Sequence, residues 1–186
     1  MAKSFLNMQG YPRGLRNNNP GNIRASDPWQ GMIGTDPAGF AVFKDISWGI
    51  RAMAKDLTSK INNGYDTLQE IIYRWAPPTE NDTEAYLDYM IGSTLFARNQ
   101  QLTATAATVK KIIRGIIDVE LGYQYASLIN SADIDEGYAL MNSGTVTPGA
   151  AATAFGFSGV LFLGSLAYAV NLGMKSKKLR RKIKAG

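Results

Sequence analysis

Glu120 closes an apolar run, Ile112 to Tyr123 (IIRGIIDVELGY), and is followed by Gly122 and the aromatic pair Tyr123 and Tyr125. A carboxyl that projects from a hydrophobic wall into an aromatic-rimmed cleft loses hydration in its charged form. Its pKa then rises, and it can hold a proton near neutral pH and act as a general acid. The same residue also reads as a solvated glutamate near a helix C-terminus, where the helix dipole mildly disfavours it. Glu80 is the second candidate acid. It lies between Pro77-Pro78 and a helix start, where its alternative duty is capping and dipole stabilisation. These carboxylates matter because the chain contains no histidine and no cysteine. Imidazole triads, thiolate nucleophiles, disulfides and His- or Cys-ligated metals are excluded, which leaves carboxylates, lysine or tyrosine for acid–base work. No metal and no cofactor is expected.

A second concentration of chemistry is the stretch Arg16 to Arg24, RNNNPGNIR. Asparagine amides cap turns through their own backbone, and a Pro-Gly pair supplies the fixed φ and the positive φ of a tight turn. The same amides offer a donor and an acceptor on a short arm, which suits the hydroxyls and N-acetyl groups of sugars. Local pattern alone leaves both readings open for Asn18, Asn19 and Asn22.

The elements that must position these groups are mostly helical. Ile50, Met53, Leu57 and Ile61 recur at helical spacing after Ser47, and Gly64 stops the run. Thr67 and Glu70 have the form of a capping box, and the helix they open must end before Pro77. A third helix starts near Asn81 to Thr83 and carries Tyr86 and Met90 on one side. The longest runs from Thr105 to about Tyr123 with Val109, Ile112, Ile113, Ile116 and Ile117 inward. A short last helix spans Ala132 to Met141, with Asp133 and Glu136 in capping positions. Between Asn22 and Phe43 the pattern changes, and the GFAVF run predicts a small β hairpin.

The C-terminal part has a different character. Gly137 to Met174 contains no charged residue, and its 25-residue portion Ala150 to Met174 exceeds the roughly 20 apolar residues that cross a hydrocarbon core. Seven of the 20 lysines and arginines follow in the last twelve residues, KSKKLRRKIKAG, so residues 1–174 carry 13 basic against 15 acidic side chains. The basicity is thus a tail, and the positive-inside rule holds it on the inner or cytoplasmic side. The expected organisation is a domain at 1–141, a linker at 142–149, a transmembrane helix at 150–174 and a basic tail at 175–186. The tail would meet anionic lipid or genome unspecifically.

Four segments carry a resemblance: RGLRNNNPGNIRA from Arg13, the Trp-x-Gly of Trp29 to Gly31, GFAVFKDISWGIRA from Gly39, and WAPPTENDTEAY from Trp75 to Tyr86. Over about residues 13–140 the chain resembles the lysozyme-like superfamily, in particular phage virion-associated muralytic proteins. The resemblance implies a mainly α (α+β, lysozyme-like) domain whose Asn-rich segment lines a saccharide groove. Asn18, Asn19, Asn22, Trp29, Tyr86 and Tyr123 would be the substrate-binding residues. In such proteins the catalytic glutamate precedes that segment, whereas here the first acidic residue is Asp27. The helix ending at Glu120 resembles the family's catalytic helix, which would make the order circularly permuted.

The function so implied is cleavage of the β-1,4 bond of peptidoglycan by a virion protein held in a viral membrane, with glycan strands, lipid and capsid proteins as partners. Glu120, or else Glu80, would protonate the glycosidic oxygen. With no second carboxylate clearly paired to it, a lytic transglycosylase is favoured over a two-carboxylate hydrolase. Two other readings are a catalytically inactive lysozyme-like structural protein and a linker between membrane and genome.

Overall fold

The computed structural model describes residues 3–143. The expected span at 150–174, the basic tail at 175–186 and most of the expected linker lie outside the described residues. Among the described residues, no helix is long and apolar enough to cross a membrane. The element order is α1 (Arg13–Arg16), β1 (Met32–Thr35), β2 (Ala41–Phe43), α2 (Ile46–Asn62), α3 (Leu68–Trp75), α4 (Thr83–Thr94), α5 (Ala106–Leu121), α6 (Tyr123–Ala126) and α7 (Ser131–Asn142). The domain is mainly helical, with one two-stranded antiparallel sheet.

Each long helix starts where a side chain can satisfy its orphan amides. The Asp45 carboxylate accepts from the Trp48 amide at the head of α2, and Thr67 and Glu70 form a reciprocal capping box on α3. Asp82 caps α4 and Thr105 caps α5. On α7 the cap is Asn130, boxed with Asp133, so the helix begins one residue earlier than the sequence suggests and Glu136 lies beyond the capping positions. The four-residue helices α1 and α6 are too short to leave a periodic signal.

Helix α2 is the centre of the packing, with α7, α5, α3 and β2 against it. Its stripe of Ile50, Met53 and Leu57 is fully buried, as are Val109, Ile112, Ile113, Ile116 and Ile117 of α5. The hairpin β1–β2 pairs Thr35 with Ala41, Gly34 with Val42 and Met32 with Phe43, with an irregularity between Met32 and Gly34. Phe43 is wholly buried, and this anchors the hairpin onto the helical core.

Candidate functional site

The Asn-rich segment leaves α1 and crosses the face of α2 before it reaches the hairpin. Its sequence suggests a Pro-Gly turn with a left-handed glycine, but the left-handed residues are Asn18 (φ 49°) and Asn22 (φ 48°). Asparagine tolerates that region better than other L-residues do. Gly21 is required for space, because a Cβ there would lie 2.8 Å from the Trp75 ring and 2.9 Å from Met53.

The asparagines divide into two kinds. Asn18 is fully buried; it donates to the Phe43 carbonyl at 3.1 Å and to Ser4 Oγ at 2.9 Å, and accepts from the Phe5 amide at 2.8 Å. Asn19 is equally buried and binds the Ile23 and Ala41 carbonyls, each at 2.9 Å, while its oxygen takes the Ile23 amide. Both expected substrate contacts are therefore corrected. These two amides clamp the hairpin to the loop, and their hydrogen-bonding groups are spent on backbone that would otherwise be buried unpaired.

Asn22 faces a groove. Its Nδ2 donates to Glu120 Oε2 at 2.7 Å, and its Oδ1 accepts from Arg13 Nε at 3.4 Å. From α4, the Tyr86 hydroxyl donates to the other Glu120 oxygen at 3.2 Å. Glu120 is thus half-buried at the end of α5 between donors from two separate elements. Burial pushes its carboxyl above the usual glutamate range, partly offset by Asn22, Tyr86, the Trp75 indole and the field of Arg13. Tyr86 is raised far above the ordinary phenol range, first by burial and then by the adjacent Glu120, so it remains a donor.

The groove around Glu120 has a volume of about 460 Å³, with Asn22, Phe40, Trp75 and Glu80 among its walls. The guanidinium carbons of Arg13 and Arg24 lie 3.6 and 4.3 Å from the centroid of the Phe40 ring. Glu80, on the loop before α4, is exposed and ion-paired with Arg24 at 3.3 Å. A second hollow of about 290 Å³ shares Gly21, Asn22, Arg24 and Trp75 with the first and is closed by Trp29. The Trp29 indole donates to the Arg24 carbonyl at 3.1 Å.

Glu120, Glu80, Asn22, Trp29 and Tyr86 are therefore brought to one region by the fold. Tyr123 is not; it is 93% exposed and lies on α6 beyond Gly122, whose φ of 72° ends α5 and turns the chain away. Tyr125 donates to the Gly10 carbonyl and packs edge-on against Tyr11. The aromatic residues of the groove are instead Trp75 and Phe40, and Tyr86 reaches Glu120 from the buried side. The contributions of Arg13, Arg24, Phe40 and Trp75 were missed, although all four residues lie inside the segments that carry the resemblance. Among the described residues, no group of His, Cys, Asp and Glu is arranged to hold a metal ion.

Fold and site together define a mainly helical domain that presents a half-buried glutamate, bonded by Tyr86, in an Asn-, Trp- and Phe-walled groove. No family profile matches the chain. Over 117 residues it is 41% identical to Protein P5 of Pseudoalteromonas phage PM2, an alignment that spans 59% of this chain and 71% of that protein. The chain belongs to the family of that phage protein.

Proposed function

We propose that this is a muralytic virion protein of the lysozyme-like type, in which Glu120 protonates the β-1,4 glycosidic oxygen of peptidoglycan. The observation that carries the reading is the setting of Glu120. It is a carboxyl raised by burial, held by Asn22 and Tyr86, and open to a groove large enough for sugar rings. Trp75, which is only partly buried, offers a face on which a pyranose ring can stack, Phe40 backs the groove beneath the Arg13 and Arg24 guanidiniums, and Asn22 and Arg13 offer polar edges. Protonation of the leaving oxygen generates an oxocarbenium-like centre. Glu80 is occupied by Arg24. This favours a lytic transglycosylase, where Glu120 acts first as acid and then as base while the sugar's own hydroxyl closes the ring. The 150–174 span would hold the protein in a viral membrane, and the domain would act on the host wall during penetration or release.

Glu120→Gln should abolish clearing of cell-wall material while the protein remains folded, because the swap is close to isosteric. A fully lytic Glu120→Gln protein together with an inactive Glu80→Gln protein would transfer the role to Glu80. One observation favours a second reading. Both Glu120 oxygens already have partners inside the domain, as a purely structural carboxylate would. A folded wild-type chain without any lytic activity would establish that structural reading.

A further inference from the structure

Beside the groove lies a larger hollow of about 560 Å³ that the proposed chemistry leaves unused. Arg13 and Arg16 both line it, and their spacing on α1 puts them on one face. Among the described residues, neither guanidinium has a carboxylate partner within salt-bridge distance. The carboxylate in the wall is Asp36, and its oxygens are already engaged. Oδ1 accepts from the Ala38 and Phe40 amides, each at 2.9 Å, and Oδ2 accepts from Asn17 Nδ2 at 2.8 Å. Burial alone would raise Asp36, but these donors and the Arg13 field outweigh it and bring its pKa down. The hollow therefore keeps an excess of positive charge.

The rest of the wall is suited to amides. Asn7 and Gln9 line one side, with the Asn7 backbone N–H donating to the Arg16 carbonyl at 3.2 Å, while Pro37 and Val42 form an apolar side. Arg13 also lines the groove of Glu120, so the two spaces adjoin through one side chain. A ligand that reaches both must carry sugars on one side and an anionic, amide-rich branch on the other.

We propose that the hollow receives the carboxylate-bearing peptide stem of the peptidoglycan strand whose sugars occupy the groove; this rests on the glycan reading above. A stem alternates amides with free carboxylates, and a guanidinium fork matches a carboxylate in two parallel hydrogen bonds. Arg16 is the recognising residue, and Arg13 marks the boundary between sugar and peptide.

The test is calorimetric binding to the full chain in mild detergent, with three probes: chitotetraose, a disaccharide tetrapeptide with free stem carboxylates, and the same molecule with those carboxylates amidated. The free form should bind about tenfold tighter than the amidated form, as one charge-assisted pair implies. Arg16→Gln should reduce that ratio to below about threefold. Gln9→Glu, which adds a like charge at an exposed position, should weaken the free form selectively. Equal binding of the free and amidated forms to wild type overturns the proposal, and chitotetraose binding in that case leaves the glycan reading intact. Arg16-dependent binding of the free-stem probe without chitotetraose binding leaves a carboxylate site in the hollow but overturns its assignment to a strand whose sugars fill the groove. Binding of none of the three overturns both.

Discussion

Glu120 is controlled by two opposing effects that different residues supply. Burial raises its pKa, while the Asn22 amide and the Tyr86 hydroxyl stabilise the charged form and pull it back. In the proposed role as general acid Glu120 must be protonated, so lysis should persist above the ordinary carboxylate range and fall as pH climbs through its raised pKa. Tyr86→Phe keeps the ring and removes one donor to the carboxylate. The pKa then rises further, and the falling limb of the pH–rate profile should move to higher pH. Initial rates of turbidity loss with purified sacculi measure this, and a limb displaced to lower pH would contradict the assigned role of Tyr86.

The elements are held in place by backbone contact as much as by side chains. Gly49 lies in α2 where the Asn-rich segment crosses it, and an added Cβ would meet the Asn18 carbonyl oxygen at 2.0 Å. Ala is the better helix former by about 1 kcal/mol, yet Gly49→Ala should destabilise the domain by roughly 1–3 kcal/mol, because backbone must move and the Asn18 clamp moves with it. Gly92 on α4 is the control. It is exposed, a Cβ there meets nothing within 4 Å, and Gly92→Ala should stabilise by up to about 1 kcal/mol. Urea unfolding of the two variants decides the matter; equal behaviour would mean that the crossing is looser than the geometry implies.

On the scale of the whole molecule the decisive property is the separation of charge from chemistry. The groove residues all fall within 13–120, whereas the uncharged stretch and the basic tail begin after Glu136. On the proposed reading, removing residues 146–186 should yield a chain that needs no detergent and that keeps the proposed lytic activity. Sedimentation and a cell-wall zymogram of the shortened chain would check both points. Aggregation or unfolding would assign the apolar stretch to the core of the domain instead.

Helix positions and core faces were legible in the sequence because their causes are local. A capping box such as Thr67–Glu70 spans one turn, and the inward stripe of α5 follows from its period. Absence of histidine and cysteine equally narrowed, without any structure, the groups open to acid–base work to carboxylates, lysine and tyrosine. What the sequence could not sort was one asparagine from another. Asn19 and Asn22 have the same chemistry and lie three positions apart, yet Asn19 is sealed against backbone carbonyls and Asn22 bonds a glutamate 98 residues away. Nor could it show that Trp75 and Phe40, rather than Tyr123, would surround Glu120. A side chain's type sets which bonds it can make, but its partners depend on where distant elements place their own groups, and only the packed structure decides that.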